Sequence, residues 1–288
     1  MLLLSGLALQ QQAPIVLIHG VMEDGDAMKD MQLILQQQIP DLYVKVCDLG
    51  IGFEQSIFTS LDYQLEQLVI CINNDPQLSS GFIGLGFSQG GLLLRGYLQR
   101  YNHEKFPVLR FIGLSSPLAG EFCGVDSKCV FLLDFPDWLN ELIFNIEFNK
   151  IFYDHFSIAS YWRDPYNLQA YYQNGRYLLD LDNERTFNQL YKTNFMSVDK
   201  MILFGSETDG IIEPWQSAQF GFWKENSDSE VYSMEERDVY KRDLFGLKTM
   251  NEEGRIILRK THNNHLHNIH NKKFIVEELA PFVKMDVE

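Results

Sequence analysis

Residues 82–101 read FIGLGFSQGGLLLRGYLQRY, and three kinds of local order meet in them. The first six residues are a continuous apolar run, as expected of a strand buried on both faces. The last twelve carry the apolar spacing of a helix. Between the two, Gly86-Phe87-Ser88-Gln89-Gly90 matches G-x-S-x-G. Glycines two residues either side of a serine are needed where a strand turns so sharply into a helix that side chains there would collide. Such an elbow lifts the hydroxyl above the edge of the sheet. It also aims the N–H of Gln89, at the helix N-terminus, toward a developing oxyanion. A serine in this position could instead merely cap the helix. Partners elsewhere in the chain decide between the two readings.

Outward from this stretch, similar strands recur. Pro14 to Gly20 (PIVLIHG) and Tyr43 to Gly50 (YVKVCDLG) precede it; Val108 to Pro117, Met201 to Gly210 and Gly254 to Thr261 follow. Asp26 to Gln38 reads as helix, and Leu61, Leu65, Leu68 and Ile72 mark one face of another. The chain closes with a helix through Ile275, Leu279 and Phe282. Strands alternating with helices predict an α/β fold with a mostly parallel central sheet and helices on both faces. From about residue 118 to 198 the alternation fails. Aromatic residues crowd Phe131 to Tyr177, and residues 137–152 read as helix, so this stretch is expected to be a mostly helical cap inserted over the C-terminal edge of the sheet. Residues 13–288 then form one domain. The charge-rich stretch from Glu225 to Asp243 is expected to be solvated surface.

The chain has 288 residues and a formal net charge of −15. That field repels phosphate backbones and excludes a nucleic-acid partner. No apolar run reaches the 18 or so residues of a membrane helix, so no integral membrane segment is expected. Residues 1–12, MLLLSGLALQQQ, read as a signal-peptide remnant or as an apolar tail packed on the first strand. Nothing in the sequence indicates the oligomeric state.

A serine hydroxyl needs a base, and the base needs an orienting carboxylate. In the α/β-hydrolase fold these follow in the order Ser, Asp or Glu, His, each on a loop after a strand. MILFGSETDG ends in Glu207 and Asp209, with Glu213 shortly after. GRIILRKTHNNHLHNIH ends in His262, His265, His267 and His270. Asp209, placed to turn back over the sheet, and His265, in the loop before the last helix, are the preferred pair. The histidine cluster lacks the carboxylate or cysteine spacing of a metal site, so neither metal nor cofactor is expected. A second oxyanion donor should come from the loop after the first strand, where IHGVMEDGD offers the N–H of Val21; His19 reads as support for that loop. Protonation of the base at acid pH should lower kcat/KM.

Cys47 and Cys71 read first as small buried apolar residues. Cys123 and Cys129 bracket a short loop and would pair only in an oxidising compartment. No Asn-x-Ser/Thr sequon occurs.

With these pieces placed, the chain resembles the palmitoyl-protein thioesterases over nearly its whole length after the N-terminal tail. The likeness rests on PIVLIHGVMED, GFSQGGLLLRGYLQRY, LSSPLAG, YWRDPYN, YLLDLDNER, GIIEPWQSAQFGFW and RDLFGLKTMNEEGRI. It is closest to the thioesterase-2-like, lysosomal branch. The resemblance implies a triad on Ser88, Asp209 and His265, oxyanion donors on Val21 and Gln89, and hydrolysis of long-chain fatty acyl thioesters in the lysosome or secretory pathway. The substrates it implies are palmitoyl-CoA and S-palmitoylated cysteine peptides or proteins. Members of this branch are thought to favour acyl-CoA because loops of the insertion crowd the head-group site. Cys123 and Cys129 resemble a family disulfide with tighter spacing, and the family's glycosylation sites are missing. An apolar groove for the acyl chain is expected from Phe131, Phe135, Trp138, Phe144, Phe148, Phe156 and Phe222, with Trp223 beside them. Each buried CH₂ is worth about 0.8 kcal/mol. Two rivals share the pattern: a lipase or esterase acting on oxygen esters, and a lipid-binding relative without turnover.

Overall fold

Alternation within the strands builds the core. In the computed structural model, which describes residues 12–49, 55–102, 105–124 and 155–284, six apolar runs form one parallel sheet. They are β1 (Ile15–Ile18), β2 (Val44–Cys47), β3 (Phe82–Phe87), β4 (Val108–Leu114), β5 (Met201–Ser206) and β8 (Ile256–Thr261). Their order across the sheet is β2-β1-β3-β4-β5-β8, and every pairing is parallel. Strands β6 (Phe222–Trp223) and β7 (Val231–Tyr232) form a separate antiparallel pair.

Successive residues of a strand face opposite sides. Ile15 and Leu17 accordingly join Met31, Leu35 and Leu279 in one apolar cluster, while Val16 and Ile18 join Leu61, Leu65 and Leu92 in another. The central strands β1, β3 and β5 are buried at every position, because helices cover both faces. At the edge, β8 exposes its middle residues.

Helix α1 (Lys29–Gln38) covers one face. It follows a 3₁₀ turn over Gly25–Met28, whose first turn is capped by the Asp24 carboxylate accepting Asp26 N–H. Helix α2 (Leu61–Asn73) lies on the other face, capped by Ser60, and buries Leu61, Leu65, Leu68 and Ile72 as their spacing requires. Helix α3 (Gln89–Tyr101) starts directly after Ser88 and is buried along nearly its whole length. The C-terminal helix is broken into short segments between His267 and Val283, interrupted where Asn271 takes an extended conformation. No helix among the described residues is long and apolar enough to cross a membrane.

Between β4 and β5 the described chain contains only short helices, Leu168–Asn174, Tyr177–Leu181 and Gln189–Phe195. The helix expected over residues 137–152 lies outside the described residues. The segment is anchored by a buried ionic cluster. Arg95 of α3 donates to Asp182 Oδ1 (2.6 Å), Gln99 Oε1 and the Leu118 carbonyl. Its guanidinium lies over the rings of Phe245 and Phe220. Arg237 donates to the other oxygen of Asp182 (3.4 Å), and Arg163 lies 3.7 Å from Glu184.

Two expectations are corrected here. Cys47 and Cys71 form a disulfide, with Cα atoms 5.9 Å apart, because α2 packs on the face of the sheet next to the edge strand β2. Cys123 is also disulfide-bonded, and its expected partner Cys129 lies outside the described residues. The stretch from Glu225 to Asp243 is not simply solvated surface. It buries Met234, Arg237 and Val239, since Arg237 reaches the ionic cluster.

Candidate active site

Parallel strands place all their C-terminal ends on one edge, and loops leaving that edge converge. Ser88 follows β3 there. Its backbone has φ +53° and ψ −131°, a sparsely populated conformation for a residue with a side chain. The flanking glycines make this turn possible. A Cβ on Gly86 would overlap Gly90 and Gly91, and one on Gly90 would overlap the carbonyl oxygens of Ile18 and His19. Both obstacles are backbone, which a side-chain adjustment cannot relieve. Ser88 thus sits on a strained strand-to-helix elbow.

Asp209 follows β5 and His265 follows β8. The His265 Nδ1 lies 2.7 Å from Asp209 Oδ1, and the His265 N–H donates to the Asp209 carbonyl at 3.0 Å. Asp209 Oδ1 also accepts the N–H groups of Ile212 (2.8 Å) and Ile211 (3.2 Å). Burial pushes the Asp209 carboxyl up, but the charge and hydrogen bond of His265, with the Ile212 N–H, outweigh it and hold the group below the usual carboxylate value. A carboxylate stabilised in this way adds stability above its unfolded-state value, about 3.9, and loses it as pH falls through the folded value. Wild type should therefore lose its advantage over Asp209→Asn in unfolding free energy as pH falls below about 4. Denaturant melts between about pH 3 and 5 test this, and an advantage that stays unchanged across that range would contradict it.

The competing side chains lie elsewhere. Glu207 is exposed and pairs with Lys260 at 2.5 Å. Glu213 donates its N–H to Glu121 Oε1. His262 and His267 are exposed, and His270 bonds Asp30 on the surface. Of the four clustered histidines only His265 is buried. Its ring stacks at 4.7 Å on Phe87, the residue before the serine. Asn268, which the sequence reading did not single out, ties the loop down by donating to Ser115 Oγ and accepting from Thr261 and Asn263.

Ser88 and His265 line one cavity of about 370 Å³. Its apolar wall includes Val21, Met22, Ile158, Ile211, Ile212 and Leu266. Two carboxyls, Glu23 and Glu121, also line it. Burial pushes the Glu121 carboxyl well above its usual range, toward the neutral form that suits an apolar guest. Tyr161, another wall residue, donates its hydroxyl to Gln89 Oε1, and Gln89 donates to Gln64. The sequence reading did not place Ile158, Tyr161 or Glu121 at the site, because only the folding of the inserted segment brings them to the serine's cavity. Among the described residues, the N–H groups of Val21 and Gln89 have no protein acceptor, whereas the neighbouring Gly20 and Met22 N–H groups are engaged. Both open donors flank Ser88 along the chain or in space.

The expected acyl groove is only partly in view. Phe131, Phe135, Trp138, Phe144 and Phe148 lie outside the described residues. Phe156 packs edge-on against Phe58 at 5.1 Å. Phe222 is buried under the Arg163 guanidinium and lines a second, polar cavity rather than the one that holds Ser88. Trp223 lines that same cavity and donates its indole N–H to the Phe122 carbonyl.

The family model described as palmitoyl protein thioesterase matches residues 14–265, which spans the elbow, Asp209 and His265. The chain belongs to the palmitoyl protein thioesterase family. It is 31% identical to palmitoyl-protein thioesterase 3 of Dictyostelium discoideum over 94% of this chain and 92% of that protein. It is 31% identical to the human lysosomal thioesterase PPT2 over 85% of this chain and 78% of that protein. With palmitoyl-protein thioesterase 1 of Caenorhabditis elegans the identity is 30%, over 89% and 87%. Among solved structures, a pyrethroid hydrolase from Sphingobium faniae superposes with a TM-score of 0.51 at 13% identity, covering 94% of this chain and 97% of that one. One of the lipolytic enzymes LipS and LipT gives 0.52 at 11% identity, covering 95% and 94%. These share the α/β-hydrolase fold. As a member of this family, the thioesterase is a thiolester hydrolase.

Proposed function

We propose that this thioesterase cleaves long-chain fatty acyl thioesters, palmitoyl-CoA or S-palmitoylated cysteine, through an acyl-enzyme on Ser88. His265 takes the Ser88 proton as the hydroxyl attacks the thioester carbonyl. Asp209 orients the imidazole and stabilises its charged form. The N–H groups of Val21 and Gln89 hold the oxyanion. The thiolate leaves with the proton from His265, the neutral imidazole then takes a proton from water as it attacks the acyl-enzyme, and that proton returns to Ser88 Oγ as the fatty acid departs. No step calls on a metal or cofactor.

One observation carries this reading: His265, bonded to the buried Asp209, lines the same largely apolar cavity as a serine on a strained elbow. The apolar wall favours an acyl chain over a polar acid, at about 0.8 kcal/mol per buried CH₂. The relatives named lysosomal, together with the Cys47–Cys71 disulfide, support an oxidising, lysosomal or secretory compartment.

The test is paired hydrolysis of palmitoyl-CoA, a palmitoylated peptide and a matched palmitoyl oxygen ester. Turnover of at least one thioester, with kcat/KM well above that for the oxygen ester, is expected. Turnover of the oxygen ester alone would make the protein an esterase instead.

A further inference from the structure

The loop after β1 is held in an unusual shape by two side chains, and one of them lies beside the nucleophile. Met22 adopts φ +58°, the left-handed region that residues with a Cβ avoid. Its N–H donates to Ser56 Oγ at 2.8 Å. Two residues earlier, the Gly20 N–H donates to Glu23 Oε2, also at 2.8 Å. These two bonds engage the donors on either side of Val21 and leave the Val21 N–H open. Gly20 is tightly enclosed as well. A Cβ there would lie 2.9 Å from Glu23 Oε2, 3.0 Å from Ser88 Cβ and 3.4 Å from Ser88 Oγ. Glu23, Gly20 and Ser88 are thus stacked in direct succession, and Glu23 lines the same cavity as Ser88 and His265.

We propose that Glu23 is a positioning residue: its carboxylate fixes the loop so that the Val21 N–H faces the reacting carbonyl. The role rests on Ser88 being the nucleophile and Val21 the oxyanion donor. A preorganised donor costs no reorganisation when the oxyanion forms, and losing one donor typically costs about 10²- to 10³-fold in kcat. Glu23 acts through Val21 rather than on substrate, so its effect belongs in kcat and not in KM.

The Glu23 charge has a second consequence. Burial pushes its carboxyl up, while the Gly20 N–H, His265, His19 and His270 pull it back. The groups facing it are these histidines, Glu121 across the cavity and Asp30 behind His270. With burial outweighing the pull of the Gly20 N–H and the histidines, the Glu23 carboxyl is raised and gives up its charge at higher pH than a free glutamate, so its protonation adds to the acid limb of the kcat/KM profile, and removing the charge should move that limb to lower pH.

The experiment compares wild type, Glu23→Ala, Glu23→Gln and Ser88→Ala on palmitoyl-CoA from pH 4.5 to 8, with thermal melts of each. Glu23→Ala is expected to lose about 10²-fold in kcat with KM within about threefold. Glu23→Gln keeps an acceptor for the Gly20 N–H. It should recover to within about tenfold of wild type and show the acid limb displaced to lower pH. The proposal is overturned if Glu23→Ala keeps kcat within about twofold, or if the loss falls on KM. It is also overturned if a folded Glu23→Gln is as slow as Glu23→Ala with an unmoved acid limb. If Glu23→Ala does not fold, the Glu23→Gln comparison alone decides. Activity surviving in Ser88→Ala would instead remove the reading on which the proposal rests. A silent Ser88→Ala beside a fully active Glu23→Ala would remove only the role of Glu23.

Discussion

Ser88→Ala is expected to cut palmitoyl thioester hydrolysis by about 10⁴-fold or more while leaving the fold intact. Alanine retains the Cβ that already tolerates φ +53° at this elbow, so the strained turn is no harder to form. What disappears is the hydroxyl proposed to accept the acyl group. Residual catalysis would come from the proposed oxyanion donors, the Val21 and Gln89 N–H groups, and from acyl-chain binding in the cavity. Two measurements read this out: CoA release from palmitoyl-CoA, and labelling of the serine by a fluorophosphonate. Wild type should show both and the variant neither, with equal melting temperatures. A variant retaining more than about a tenth of wild-type activity would exclude Ser88 as nucleophile. A wild type that neither turns over any thioester or ester nor takes the label would leave a lipid-binding protein as the better description.

The second large effect is on stability. Asp182→Asn should destabilise the thioesterase by about 3 to 5 kcal/mol, against a total of roughly 5 to 15 kcal/mol for a typical domain. Asp182 is fully buried and bonds Arg95 through one oxygen and Arg237 through the other. Neutralising it leaves two guanidinium groups in the interior with less compensation, and Arg163 adds a third cation nearby. Arg95 lies on the helix that starts at Ser88, and Asp182 lies in the segment between β4 and β5, so the damage should reach the site. Denaturant melts provide the measurement, with activity below the transition as a second readout. Removing both partners is gentler than removing one, so Arg95→Met combined with Asp182→Asn should recover part of the loss. A single variant within about 1 kcal/mol of wild type would mean that the cluster contributes little.

Much of this architecture was legible in one dimension. The central strands β1, β3 and β5 announced themselves as apolar runs, because burial on both faces excludes charged side chains, whereas the edge strands β2 and β8 admit Lys45, Arg259 and Lys260. Helix α2 announced its buried face through Leu61, Leu65, Leu68 and Ile72. The elbow was legible because no residue but glycine fits beside the backbone of Gly91, Ile18 and His19. Chain order narrowed the acid and base to two short loops.

Within those loops the sequence preferred Asp209 and His265 by position alone, and the contacts that set them apart needed three dimensions. Asp209 and Glu207 are chemically alike and two residues apart, yet one is buried against His265 and the other pairs with Lys260 at the surface. Four histidines are equivalent as letters, and His265 is set apart by its burial, its bond to Asp209 and its contact with Phe87. Cys47 and Cys71 carry no mark of their bond, since it depends on where a strand and a helix meet. The sequence by itself determined the sheet, the elbow and the types of catalytic group, because burial and steric limits act on each residue locally. Only the tertiary structure brings Asp209 to His265 and the wall residues to the cavity beside Ser88, because those contacts join segments far apart in the chain.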